Sequence, residues 1–186
     1  LVTGYVLAQA SIIKKALSFL ASKAKSPRSA IVIVTIVSLI ASWLNWGFGL
    51  VIGALFAKEL ARKIPGVNYP LLIASAYSGF VIWHGGLSGS VPLTIATSGH
   101  FTENLIGVVP TSETIFSTYN LAIILVLFIL IPLTNYMMSR TPGISIDSNL
   151  IKEEQETTEA IERPADKIET SSVLTRAFGI LGLVYF

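Results

Sequence analysis

The chain has 186 residues, of which 52% are hydrophobic and only 13% are charged, and its mean hydropathy is +0.69. Soluble domains carry about 25% charged residues, so this composition excludes a soluble globular protein and indicates an integral membrane chain. The net charge of +2 does not indicate nucleic-acid binding, because the basic residues fall in blocks between apolar segments, where they set membrane orientation. The absence of cysteine excludes disulfides and thiol chemistry.

The two ends of the chain resemble interrupted helices. Residues 1–10 are typical of the end of a helix, and residues 11–28, with five basic residues, are typical of an interfacial helix or a surface loop. The chain begins at Leu1 without a basic leader and stops at Phe186 inside an apolar run. We therefore expect a fragment of a larger membrane protein.

The next segment, residues 30–57, is almost wholly apolar but is interrupted by Asn45-Trp46-Gly47-Phe48-Gly49. One membrane span needs roughly 20 residues, so the run is too long for one span and too short for two. Basic residues flank it on both sides, which places both ends in the cytoplasm. The pattern predicts a re-entrant hairpin over residues 30–63 with its tip at the interruption. Near its end, Glu59 and Lys63 are placed as an i,i+4 pair on a helix. The alternative is one kinked helix that crosses once and leaves the basic residues 58–63 outside.

A second interrupted helix is predicted over residues 70–97. It begins at Pro70, a favoured residue in the first turn of a helix, and is broken by the glycine- and serine-rich segment 84–90. Two half-spans around such a loop are the signature of a discontinuous membrane helix.

The remaining segments complete a membrane domain over residues 1–140. Residues 97–118 contain Glu103 and Glu113 but no basic residue, and we expect them outside the cytoplasm as an amphipathic surface helix. Residues 119–138 predict a spanning helix. The acidic segment 141–172 predicts a solvated cytoplasmic linker, and residues 173–186 predict the start of another membrane helix.

No enzyme signature is found in the sequence. The two histidines, His84 and His100, have no carboxylate at a spacing that suggests a catalytic pair, and there is no metal-ligand cluster or phosphate-binding loop. We therefore predict an all-α integral membrane protein that is not an enzyme and needs no cofactor or nucleic acid.

The two breaks are the candidate binding site. Free N–H groups at the start of a half-helix can hold a carboxylate, and unwound carbonyls with Asn and Ser oxygens can coordinate Na⁺. The candidate substrate-binding residues are Asn45, Gly47, Gly49, Gly85, Gly86, Ser88, Gly89 and Ser90. The candidates for coupling to an ion, either Na⁺ or H⁺, are Ser42, Asn45, His84 and Thr94.

Each candidate has a structural alternative. Asn45 can simply cap a helix, and Ser88 and Ser90 can be packing residues that bond back to the preceding turn. His84 can form a local hydrogen bond, and Trp46 or Trp83 can pack without touching a ligand.

Several stretches resemble one known family in the same order along the chain. They are residues 40–50 with Asn45-Trp46-Gly47-Phe48-Gly49-Leu50, Phe56-Ala57-Lys58-Glu59, Pro65-Gly66, Tyr69-Pro70-Leu71-Leu72-Ile73-Ala74, and Trp83-His84-Gly85-Gly86-Leu87-Ser88-Gly89-Ser90-Val91-Pro92-Leu93. Together they resemble the bacterial short-chain fatty acid transporter family, which includes the acetoacetate/butyrate carrier.

The resemblance implies a polytopic symporter for small monocarboxylates in the bacterial cytoplasmic membrane. It implies a fold like that of the wider ion-transporter superfamily, with inverted repeats and re-entrant hairpins. This chain would be the first repeat, and its partners would be the lipid bilayer, the carboxylate and a second half of the same transporter. The family pattern often has glycine in place of His84, which argues against a proton role for that residue. The oligomeric state, a homo-oligomer included, stays open.

A different function class fits the same residues. In a non-transporting or channel-type membrane subunit, the helix breaks would serve only to pack against partner helices.

Overall fold

The computed structural model describes residues 10–140 together with Gly4, Tyr5, Ala8, Ile144 and Ser171. The chain divides into two compact units, residues 1–151 and 152–186, and the fold of the first unit is described here. The predicted linker 141–172, apart from Ile144 and Ser171, and the predicted helix 173–186 lie outside the described residues.

The described part of the chain is all-helical. Its α-helices, in chain order, are α1 (Ser11–Lys23), α2 (Pro27–Leu44), α3 (Trp46–Lys63), α4 (Tyr69–Ser78), α5 (Ser90–Ile95), α6 (Glu103–Ile106) and α7 (Thr118–Met138). Two 3₁₀ helices, Gly79–Gly85 and Thr111–Glu113, lie between them.

Side-chain caps define where the long helices begin. Ser26 accepts a hydrogen bond from the Ser29 N–H in a capping box at the start of α2. Asn68 and Ser117 cap α4 and α7 in the same way. These caps satisfy N–H groups that a helix leaves free in its first turn. The start of each long helix is thus encoded locally.

Helices α2 and α3 fold back on each other around Asn45, the single residue between them. Gly49 packs on Ser42, and a Cβ added to Gly49 would lie 2.5 Å from the Ser42 Cα. A Cβ added to Gly53 would lie 3.1 Å from Ser38 Oγ. Residue 49 thus contacts residue 42, and residue 53 contacts residue 38. Contacts between residues at increasing distance on both sides of Asn45 are those of an antiparallel hairpin. This packing excludes one continuous kinked helix over the segment.

The break in the hairpin contains fewer non-helical residues than the sequence predicted. Residues 46–49 were expected to be unwound, but they form the first turn of α3. Gly47 and Gly49 therefore do not form the turn. The contact of Gly49 with Ser42 shows their structural use, because the missing side chain lets the backbones of the two helices approach closely.

A hydrophobic core joins the hairpin to its neighbours. Ile31 and Val34 of α2, Phe56 and Leu60 of α3 and Leu72 of α4 are all buried in it. At the end of α3, Glu59 pairs with Lys63 at 2.9 Å and with Arg62 at 3.6 Å. The predicted i,i+4 pair is thereby confirmed. The charged end of α3 thus lies next to the apolar core rather than inside it.

Helix α4 runs beside α2 in the same direction. A Cβ added to Gly79 would lie 2.6 Å from the Leu39 N, and one added to Gly86 would lie 2.9 Å from the Trp43 Cα. The α-helix ends at Ser78, earlier than the sequence predicted, and continues as the tighter 3₁₀ helix Gly79–Gly85. This change of helix type coincides with the close contact at Gly79.

Residues 96–117 do not form the predicted amphipathic helix. The segment contains only the short α6 and the 3₁₀ helix Thr111–Glu113, and most of it is exposed. Gly99 and Gly107 adopt positive φ angles of 85° and 68°, a conformation that interrupts a right-handed helix. The prediction was wrong because it gave too little weight to these glycines.

Three segments of the described part are long and apolar enough to cross a membrane: Pro27–Leu44, Tyr69–Ile95 and Thr118–Met138. They support a multi-pass membrane protein. Helix α3 is also 18 residues long, but its last turns carry Lys58, Glu59, Arg62 and Lys63. The whole of α3 is therefore less suited to lipid than α2.

We predict that Gly49→Ala destabilises the domain far more than Gly53→Ala. The Gly49 Cβ would strike the Ser42 backbone at 2.5–2.6 Å, whereas the Gly53 Cβ would lie 3.1 Å from its neighbours. Overpacking of this kind costs about 1–3 kcal/mol. Thermal unfolding of the purified full-length protein measures both variants, and equal melting temperatures would contradict the described packing of the hairpin.

Candidate functional site

The two helix breaks meet at one place in the fold. The Trp46 N–H, at the start of α3, donates to Ser88 Oγ at 2.9 Å. The Leu87 N–H, in the turn that follows the 3₁₀ helix, donates to the Trp43 carbonyl at 2.8 Å. Each break thus satisfies a backbone group of the other. We call this contact region, residues 43–49 with residues 84–90, the tip site.

Glycines make this close approach possible. A Cβ on Gly86 would overlap the Trp43 backbone, and one on Gly89 would overlap the His84 carbonyl. Gly86 and Gly89 are buried, and Gly85 is half-buried. The glycines of the second break therefore let its backbone lie directly against the hairpin.

Asn45 caps α3 with its side chain. Its Oδ1 accepts a hydrogen bond from the Phe48 N–H at 3.0 Å, which confirms the capping interpretation. The side chain is exposed, and the cap uses only the oxygen of the carboxamide. Its NH₂ group remains suited to donate to a ligand.

The three serines among the predicted site residues differ in burial and in hydrogen bonding. Ser88 is half-buried and accepts from Trp46, whereas Ser90 is exposed at the start of α5. Ser42 is fully buried against Gly49, and its Oγ has no hydrogen-bond partner. Of the predicted serines, Ser88 thus belongs to the packed part of the tip site, and Ser42 is packed directly beside it.

Two of the predicted ion-coupling residues lie on exposed surface. Thr94 donates its hydroxyl to the Ser90 carbonyl at 2.7 Å within α5. His84 is exposed, and its ring lies 3.6 Å from the Trp83 ring, centroid to centroid. Neither of these contacts is specific to an ion.

Sequence reasoning missed Asn120. Its Nδ2 donates to the Gly85 carbonyl at 3.0 Å and to the Ile115 carbonyl at 2.7 Å, which ties the start of α7 to the second break. It also missed Trp43, whose buried Nε1 has no hydrogen-bond partner. The signal for Asn120 was a lone amide at the edge of an apolar span, a costly residue at membrane depth.

An aromatic row extends from the tip site along the 3₁₀ helix. The rings of Trp46 and Trp83 are 6.1 Å apart, Phe80 stacks on Trp83 at 5.5 Å, and Tyr77 lies 5.9 Å from Phe80. This agrees with the interpretation that the tryptophans pack. The row also places an apolar surface next to polar donors.

The electrostatics of the tip site come from the backbone. Residues 64–139 contain no Lys or Arg, and the described residues hold no group of three His, Cys, Asp or Glu that could bind a metal. The positive end of the α3 dipole and its N–H groups lie at the tip, where they favour a small anion. Neutral donors beside an aromatic surface suit a carboxylate with a short apolar chain.

The chain matches one protein family over its whole length. It matches the family described as "Short chain fatty acid transporter" over residues 1–186. It is 42% identical over 190 residues to a protein of Escherichia coli strain K12 and 44% identical over 196 residues to one of Haemophilus influenzae strain ATCC 51907. Both are named "Putative short-chain fatty acid transporter". No solved structure matches the chain.

The alignments cover 100% and 99% of this chain but only 43% and 44% of the two relatives. The chain thus spans less than half the length of the curated relatives that it matches. Two of the stretches that carried the resemblance, residues 40–50 and 83–93, include the tip site, and the family match covers residues 1–186. The chain belongs to the short-chain fatty acid transporter family.

Proposed function

We propose that the full-length protein carries short-chain fatty acids, such as butyrate or acetoacetate, across the bacterial cytoplasmic membrane by cation-coupled secondary transport. The family and the names of both relatives support the substrate class. Three apolar helices support a multi-pass position in the bilayer. The observation that carries the proposal is the meeting of the two helix breaks, because broken helices at membrane depth are the usual place for a transported polar group.

In this proposal the carboxylate binds at the tip site. The carboxamide NH₂ of Asn45 and the backbone N–H of Gly47 donate to it. The N–H groups of Trp46, Phe48 and Gly49 already have acceptors within the protein. Trp46 and Trp83, 6.1 Å apart, provide an apolar surface for a short acyl chain. Neutral donors suffice for one negative charge when a coupled cation balances it, whereas a buried unpaired charge would be costly.

We also propose that the hairpin is re-entrant. The apolar part of α3, residues 46–57, has 12 residues and therefore a length of about 18 Å, short of a hydrocarbon core of about 30 Å. The hairpin then enters from the cytoplasmic side and reaches deep into the bilayer without leaving it.

We predict that Asn45→Asp abolishes butyrate uptake by the full-length protein although it keeps the helix cap. Asp caps helices as well as Asn does, so α3 should stay folded. The new negative charge and the lost NH₂ donors would repel a carboxylate. Uptake of labelled butyrate into proteoliposomes measures the effect.

Asn45→Ala separates the two roles of this residue. It removes both cap and donors, so we expect loss of uptake together with a cost of about 1 kcal/mol in stability. Wild-type uptake by Asn45→Asp would show that Asn45 only caps, and would remove it from the substrate site. Non-saturable flux through the wild-type protein would instead favour a channel.

We predict that Ser88→Ala lowers both stability and butyrate uptake. The substitution leaves the Trp46 N–H without its acceptor at 2.9 Å, a loss of about 1–3 kcal/mol for a buried donor. Ser98→Ala, in the exposed turn after α5, is the matched control and should change neither. Identical melting temperatures for the two variants would show that the two breaks are not held together by this bond.

A further inference from the structure

A cluster of uncharged polar side chains lies inside the domain, away from the tip site. Asn135 of α7 donates through Nδ2 to Thr35 Oγ1 of α2 at 3.0 Å and to Ser78 Oγ of α4 at 2.9 Å. Thr35, Ser75 and Asn135 are buried, with 0%, 0% and 7% of their surface exposed. We call Thr35, Ser75, Ser78 and Asn135 the seam cluster, because three helices meet there.

The hydroxyl protons of the seam cluster point away from its centre. Thr35 donates to the Ile31 carbonyl at 2.7 Å, and Ser78 donates to the Ser75 carbonyl at 2.8 Å. Each hydroxyl therefore turns its lone pairs towards Asn135. The Asn135 carboxamide can present either its NH₂ or its oxygen there, because a half-turn of the group exchanges the two. With the oxygen turned inwards, the centre holds only acceptors.

Ser75 supplies an independent sign of a missing ligand. Its Oγ is fully buried and has no hydrogen-bond partner, which is an unfavourable state for a hydroxyl. Ser75 shares one face of α4 with Ser78 and Gly79, which follow it by three and four residues. Ser78 contacts α7, and Gly79 contacts α2. Its side chain thus faces the seam where Thr35 and Asn135 meet.

The chemistry of the cluster narrows the class of cation. None of its four side chains titrates in the physiological range, so a proton has no group to bind. Divalent cations are bound in proteins mainly through carboxylates, which the cluster lacks. Neutral hydroxyl and amide oxygens are ligands of the kind that hold Na⁺ in transporters.

We propose that the seam cluster is a Na⁺ site formed by Thr35, Ser75, Ser78 and Asn135. It is separate from the ion candidates of the tip site. Its use as the coupling site rests on the proposed transport function, whereas its occupancy by Na⁺ does not. In a coupled cycle, Na⁺ here would hold α2, α4 and α7 together while the carboxylate occupies the tip site.

The test is a Na⁺ titration of the purified full-length protein in detergent without any fatty acid. Choline replaces Na⁺ at constant ionic strength, and thermal unfolding is the readout. We expect a saturable rise of the melting temperature with Na⁺, as for any ligand that binds only the folded state. Ser75→Ala should weaken the apparent Na⁺ affinity at least about tenfold. Its melting temperature without Na⁺ should not fall, because the substitution removes a buried hydroxyl that makes no bond.

Two further variants and one further ion make the result decisive. Thr134→Ala, next to Asn135 but exposed and bonded to the Leu130 carbonyl, should keep the wild-type affinity. Asn135→Leu should lose the response to Na⁺. An equal response to K⁺, no response of the wild type, or a normal response of Ser75→Ala would overturn the proposal. Loss of the response in Ser42→Ala alone would move the site to the tip.

This readout is independent of transport. If the Asn45 variants show that butyrate does not bind at the tip site, the Na⁺ response still stands or fails by itself. If the Na⁺ response is absent while Asn45→Asp abolishes uptake, the tip site remains and the seam cluster is only structural.

Discussion

The domain depends on the close approach of other helices to the backbone of α2. Gly49, Gly79 and Gly86 each lie where an added Cβ would overlap the α2 backbone or its last turn. Between helices in lipid there is no hydrophobic driving force, so association depends on packing and hydrogen bonds. Small residues let the backbones meet, and the serines and threonines of α2 then reach partners on neighbouring helices. The tip site and the seam cluster both exist because α2 is surrounded in this way.

The same constraint explains how a broken helix survives at membrane depth. Backbone groups left free by a break cost several kcal/mol in hydrocarbon unless protein or water satisfies them. Here one break supplies Ser88 to the Trp46 N–H, and the other supplies the Trp43 carbonyl to the Leu87 N–H. Neither break is satisfied alone. Under the proposed function, the residues that stabilise the breaks are also the residues that position a ligand between them.

The sequence predicted the features that depend on residues close to one another in the chain. The interrupted apolar runs, the cap at Asn45 and the pairing of Glu59 with Lys63 all follow from residues within a few positions of one another. The end of α4 at Ser78 was missed, because the contact of Gly79 with α2 acts across about 40 residues. Asn120 and Asn135 were missed for the same reason, since their partners lie 35 and 100 positions away. A lone amide in an apolar helix signals that a partner exists but not which residue it is. The binding roles proposed for the tip site depend on contacts with a ligand, and no local sequence pattern shows those contacts.

The two amides of α7 also limit how the domain can move. Asn120 and Asn135 are separated by about 22 Å along the helix, and each holds a different part of the α2–α4 unit. A slide of α7 by one turn would break both anchors together and leave two amides without partners, about 1–3 kcal/mol each. Yet only 17% of the α7 span is buried, so its outer surface is not bound to this domain. Suppose that the tip site faces first one side of the bilayer and then the other. The hairpin, the broken helix and α7 would then move as one body, and the surface along which this body slides would be the outer face of α7.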